Sequence, residues 1–121
     1  MSISYNFGQE AEKHSADYFR SLGFQILERN YRYRKAEVDL IVQKDGLLVA
    51  VEVKARSSAY FGDPQSFVSK KKIQLLVMAI DAYIQQRNLD VEVRFDVISI
   101  LKKNNALEIQ HIENAFYHFW I

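Results

Sequence analysis

"AEVDLIVQKDGLLVAVEVKAR", residues 36–56, is the stretch on which the fold turns. Two apolar runs flank Asp45-Gly46, and Asp-Gly between such runs is a strong short-range signal for a β-hairpin. Residues 37–43 and 47–54 are the expected strands. Yet these strands carry Glu37, Asp39, Glu52 and Lys54, and charged groups are costly to bury unless paired or bound to a metal.

Side chains alternate faces along a strand. Glu37 and Asp39 therefore share a face, as do Glu52 and Lys54, while Val38, Leu40, Val42 and Val49, Val51, Val53 are expected on the other. A two-residue Asp45-Gly46 turn pairs Lys44 with Leu47. Counting back, Asp39 falls opposite Glu52 and Glu37 opposite Lys54, with Cβ atoms about 5 Å apart in such pairs. A four-residue loop keeps this register; an odd loop shifts it by one and breaks the convergence. Facing carboxylates in a partly buried place share a proton or hold a cation. A hard divalent ion such as Mg²⁺ takes one or two carboxylates with water and substrate phosphate. Asp39 and Glu52 suit that role, with the Val53 carbonyl as a further ligand, and Lys54 can orient a water or offset charge on a phosphate. The plainer reading is a cross-strand salt-bridge pattern on a solvated face. It accounts poorly for two acids directly opposed.

Outward from the hairpin, residues 7–22 place Phe7, Ala11, Tyr18, Phe19 and Leu22 at helical spacing, with Gly23 as the stop. Residues 24–27 read as a short strand, followed by a polar, basic stretch. Residues 67–87 form a long helix with Ile73, Leu76, Val77, Ile80, Tyr83 and Ile84 as its apolar stripe. Residues 91–101 and 107–112 return as strands. This order predicts an α/β fold with a mixed central sheet flanked by helices, in one domain spanning 1–121.

The 121 residues include no Cys, which excludes a disulfide framework and thiolate chemistry. The start of the chain lacks the pattern of a signal peptide. The longest strongly apolar run, Leu47–Val51, falls far short of the roughly 20 residues a membrane span needs. A cytoplasmic protein without a membrane partner is the expectation. Net charge is only +1, so a nucleic-acid partner must be argued from local clusters.

Asp39, followed after twelve residues by Glu52-Val53-Lys54, resembles the core motif of PD-(D/E)XK nucleases, an Asp ending one strand and E-x-K on the next. The flanking helices agree with that superfamily's αβββαβ core. Gly8, Glu12, Ala16, "GFQILERNYR", "EVDLI", "VEVKAR", "FGDP" and Lys72 further resemble the YraN-like predicted endonucleases, over residues 8–84. Ala11 and Ala36 stand where that family usually has Gly, departures that concern backbone room. The cluster is also similar to archaeal-type Holliday junction resolvases. The resemblance implies a metal-dependent endonuclease acting on DNA with Mg²⁺ or Mn²⁺. It implies Asp39 and Glu52 as metal ligands, Lys54 as the catalytic Lys and Glu12 as an additional acidic metal-site residue. Glu12 shares a helical face with Ala16 and Phe19, so it can point toward the sheet; the alternative is an ordinary helix acid. Glu37 is expected as a supporting partner of Lys54 or a further ligand. A branched-DNA resolvase and a non-catalytic DNA-binding module of the same fold are the rival readings.

Arg32, Arg34 and Lys35, with Tyr31 and Tyr33 interleaved, precede the hairpin; Arg56 follows it, and Lys70, Lys71 and Lys72 open the second long helix. Such groups position nucleic acid through phosphates rather than read sequence. Arg32, Arg34, Lys35, Arg56 and Lys72 are the expected DNA contacts, against the plainer reading of solvated charges. His14, His111 and His118 lack metal-type spacing and read as structural or surface residues. The aromatic tail, residues 115–121, reads first as core packing and second as a homodimer contact.

Overall fold

The computed structural model describes residues 3–56 and 68–116. Along the chain they form α1 (Ile3–Ser21), β1 (Gln25–Tyr33), β2 (Ala36–Lys44), β3 (Leu47–Arg56), α2 (Lys70–Arg87), β4 (Glu92–Lys103) and β5 (Ala106–Ile112). The strands make one sheet in sequence order. Pairs β1–β2, β2–β3 and β4–β5 are antiparallel, and β3–β4 is parallel. A parallel pair needs a crossover, which α2 supplies. The expected α/β class with a mixed sheet between helices is the observed one, with β5 added to the αβββαβ order.

Each helix covers one face. Phe7, Ala11, Ala16 and Phe19 of α1 pack on Leu40, Val42, Val49, Val51, Ile98 and Ile100. Ile73, Leu76, Ala79, Ile80 and Tyr83 of α2 pack on Ile41, Leu48, Ala50, Phe95 and Val97. Strands β2 to β4 are thus covered on both sides, which is why they read as nearly continuous apolar runs. Ala11 and Ala36 are buried within these cores, so their methyl groups are accommodated. No helix among the described residues is long and apolar enough to cross a membrane.

The turns follow local chemistry. Asp45 (φ 50°) and Gly46 (φ 79°) are both left-handed, as a two-residue type I′ hairpin requires. The β2–β3 register runs from Lys44 opposite Leu47 to Leu40 opposite Val51, as expected from the turn. Helix α1 ends on Gly23 (φ 91°), whose N–H bonds Arg20 O while Phe24 N–H bonds Phe19 O. That is a Schellman cap, and Gly tolerates its left-handed residue without strain. Leu22 lies past the helix end and is 40% exposed, so it does not belong to the buried stripe assigned from its spacing.

Two features depart from expectation. Strand β1 runs to Tyr33 rather than stopping at 27. Its polar character is that of an edge strand with exposed positions, while Leu27 and Tyr31 still pack toward α2. The second departure falls on β2. Val38 lies in the α2-side core and Leu40 in the α1-side core. Residues two apart on a regular strand share a face, so the alternation breaks at Asp39. Val38, Leu40 and Val42 therefore do not line one face together. Asn30, across from the break on β1, has a left-handed backbone (φ 53°). The β2–β3 ladder stops at Leu40–Val51, one residue short of Asp39 and Glu52.

Candidate functional site

Beyond Leu40–Val51 the Val53 N–H has no ladder partner on β2. The Asp39 carboxylate accepts its hydrogen bond instead, at 2.8 Å. This holds the Asp39 side chain across the gap between β2 and β3, within hydrogen-bonding reach of the Glu52 carboxyl. Glu52 is on β3 with its side chain toward α2 and is only 3% exposed. The two acids thus meet because a carboxylate replaces a missing backbone acceptor.

Burial, together with the charge and hydrogen bond of Glu52, pushes the Asp39 carboxyl up from 3.8 to about 8. The Val53 N–H and the positive charge of Lys72 oppose the rise without cancelling it. A proton held on Asp39 removes the repulsion when no cation is present. Lys72, on the first turn of α2, places Nζ 3.3 Å from Glu52 Oε2. That oxygen is nevertheless buried without a hydrogen bond of acceptable geometry, a costly state for an acceptor.

Glu12 projects from α1 toward the same gap. Burial and then the neighbouring Asp39 charge raise its pKa, against a hydrogen bond from the Asn30 side chain and the charge of Arg29; Glu37 adds to the rise. Glu12 is therefore beside the pair but engaged by Asn30. Among the described residues no three His, Cys, Asp or Glu side chains converge as a metal-holding group. The protein's own donor set is the pair Asp39 and Glu52, a count that suits Mg²⁺ completed by water and phosphate. The pair and the orphaned Glu52 Oε2 both fit a divalent cation.

Lys54 lies two residues beyond Glu52 on β3, and the unbroken register of Glu52 with Val97 and Lys54 with Ser99 on β4 keeps both on one face. Glu37 is not opposite Lys54. It lies across β1 from Arg32, whose guanidinium is 3.2 Å from its carboxylate. The break at Asp39 has moved Glu37 to the face away from Lys54, so the expected pairing of the two is absent. Arg34 and Lys35 form the exposed tip of the β1–β2 hairpin, with Arg34 over the Tyr33 ring. Arg56 ends β3. Tyr31 is held by Tyr83 edge-to-face at 5.1 Å and is thereby part of the packing. The "FGDP" segment and residues 117–121 lie outside the described residues. Sequence reasoning did not single out Asn30 or Ser69. An Asn within a strand is a local signal for a left-handed residue, and Ser ahead of a helical run is a signal for a cap.

The profile described as "Uncharacterised protein family UPF0102" matches residues 11–100, three quarters of the chain. The chain belongs to the UPF0102 (YraN) family. The UPF0102 protein of Flavobacterium psychrophilum is 47% identical over 98% of this chain and 100% of its own length. That of Christiangramia forsetii is 48% identical with the same coverage. A more distant relative in Persephonella marina is 38% identical over 94% of this chain and 96% of its own. The matched span of this UPF0102 protein contains Glu12, Asp39, Glu52, Lys54 and Lys72.

A second buried charge cluster lies on the α1 face. Asp96, fully buried, accepts two hydrogen bonds from Arg94 at 2.8 Å and one from Asn114 N–H at 3.0 Å, and contacts His111 Nε2 at 2.7 Å. His111 Nδ1 meets Tyr18 OH at 2.9 Å. Burial alone would raise the Asp96 pKa, but its bonds to His111, Arg94 and Asn114 hold it below the ordinary carboxylate range. Every lone pair is used, and the group ties β5 and α1 to β4, so His111 is structural. His14 is exposed. A groove of about 530 Å³ along α2 and β4 is lined by Ile73, Val77, Ile84, Val93 and Phe95, with Asp81 as its charged residue. Its chemistry does not suit a phosphodiester.

Proposed function

We propose that this protein is a metal-dependent endonuclease that hydrolyses DNA phosphodiester bonds. The observation that carries this reading is the buried Asp39–Glu52 carboxyl pair in the gap between β2 and β3, with an unsatisfied Glu52 oxygen and Lys54 on the same face as Glu52. In this reading Asp39 and Glu52 hold Mg²⁺ or Mn²⁺, which when bound supplies polarisation of the phosphate and a more acidic water. The Val53 N–H holds the Asp39 carboxylate in the gap, within hydrogen-bonding reach of Glu52. Lys54 donates to the attacking water or to a phosphate oxygen and offsets the charge gained in the transition state. Glu12, tied to Asn30, adds to the negative field at Asp39. Arg32, Arg34, Lys35 and Arg56 are the phosphate contacts that position the duplex.

The test is cleavage of linear, nicked, flapped and four-way DNA by the purified protein with Mg²⁺, Mn²⁺ or EDTA. The expected result is metal-dependent cutting that falls by at least about a hundredfold, in the range expected for loss of a group that stabilises transition-state charge, in Asp39→Ala and Lys54→Ala. Either variant cutting at the wild-type rate overturns the assignment. Symmetric cutting confined to four-way DNA selects the resolvase reading, and metal-independent binding without cutting selects the non-catalytic one.

A further inference from the structure

Three lysines open α2, and they differ in placement. Lys70 and Lys71 are exposed, whereas Lys72 is half-buried, with its side chain 40% exposed and its Nζ 3.3 Å from Glu52 Oε2. Its position is set by two neighbours. Ser69 Oγ accepts the Lys72 backbone N–H at 3.1 Å, and Ile73 is buried in the core beside it. Lys72 also exerts its positive field on Asp39. The ammonium supplies charge to the pair yet leaves Glu52 Oε2 without a well-formed hydrogen bond. A lysine so placed is a weakly held counter-ion on a long flexible stem, beside an acceptor whose coordination is incomplete.

We infer that Lys72 is the built-in counter-cation of the Asp39–Glu52 pair, competing with a divalent metal for Glu52 and turning to the substrate phosphate once the metal displaces it. This rests on the metal reading above and extends it, since it assigns Lys72 two successive partners. The compact ammonium suits exchange. Arginine would grip the carboxylate with a planar fork and release it less readily. Coulomb's law gives the sign of each effect. Removing a positive charge next to the pair strengthens its attraction for a divalent cation, while the phosphate loses a partner. Metal affinity and DNA affinity therefore move in opposite directions, which neither a plain salt bridge nor a plain DNA-binding lysine produces.

The experiment is direct Mn²⁺ binding to the full chain without DNA, by calorimetry or electron paramagnetic resonance, for wild type, Lys72→Met, Lys72→Arg and Asp39→Asn. Lys72→Met is expected to bind Mn²⁺ about tenfold more tightly than wild type. Lys72→Arg is expected to bind it more weakly, and Asp39→Asn to lose most of the binding. Anisotropy with labelled duplex is expected to show that Mn²⁺ tightens DNA binding by wild type more than by Lys72→Met, which keeps only the phosphate contact made by the metal itself. Mn²⁺ binding that Lys72→Met leaves equal to or weaker than wild type overturns the inference and leaves the metal reading standing. Absence of Mn²⁺ binding by wild type overturns both. Lys72→Arg keeps the question decidable if the Met variant does not fold.

Discussion

Asp39 is where backbone and chemistry meet. Its carboxylate closes a gap in the β2–β3 hydrogen bonding by accepting the Val53 N–H, and in doing so it is brought against Glu52. The same placement makes it a liability when ionised. Its folded-state pKa is raised from 3.8 to about 8, by burial first and Glu52 second. The stabilising contribution of its proton is therefore fully present below the ordinary carboxylate range and is lost as pH rises through about 8. Melting of the metal-free protein between pH 5 and 9 should show this loss. Asp39→Asn keeps an oxygen for Val53 and gives Glu52 a donor, so its melting temperature should stay flatter and exceed the wild-type value at pH 9. Saturating Mn²⁺ should restore the wild type there, by about 2.7 kcal/mol at a hundred times Kd, and should do little for the variant. A wild-type melting temperature that does not fall relative to Asp39→Asn across this window would contradict the assigned shift.

The elements were legible where the determinants are local. The Asp45-Gly46 turn fixes its own type and hence the hairpin register, so the pairing of Lys44 with Leu47 could be counted from the sequence. The apolar stripes of α1 and α2 and the Gly23 stop follow from 3.6-residue spacing and cap chemistry. The break at Asp39 was not legible, because it depends on Asn30 across β1 and on where the β2–β3 ladder ends, both non-local. That break is why Asp39 still meets Glu52 while Glu37 turns to Arg32 instead of Lys54. The Lys72–Glu52 contact was hidden too, since the azimuth of α2 over the sheet is set by Val68 and Ile73 packing. Ser69 makes that placement testable at the level of the element. Its side chain caps α2 through Lys72 N–H, so Ser69→Ala should lower unfolding free energy in denaturant titrations by about 1 kcal/mol. A change within experimental error would mean that the first turn is held by other contacts.

On the scale of the whole molecule, topology collects the charge that composition hides. The net charge of +1 gives no hint of a polyanion partner. Because β2 and β3 are antiparallel and β3 and β4 parallel, the β1–β2 tip with Arg34 and Lys35 and the end of β3 with Arg56 share one end of the sheet. Lys72 of α2 reaches Glu52 of β3 toward that end. The opposite end carries the Asp45-Gly46 turn and the close of α1, where Lys44 Nζ donates to Leu22 O. A duplex lying across the first end would contact phosphates with groups that leave their structural roles intact. Arg34 and Lys35 are exposed, and Arg20, in the last turn of α1, is a matched control already paired with Asp17. Each lost phosphate contact should lower the slope of log K against log salt by about 0.9. Arg34→Ala with Lys35→Ala should therefore reduce that slope by about 1.8 in anisotropy titrations and weaken binding equally for unrelated sequences. Arg20→Gln should leave both unchanged. Equal slopes in all three proteins would place the duplex elsewhere, and would separate the location of DNA from the chemistry assigned to Asp39, Glu52 and Lys54.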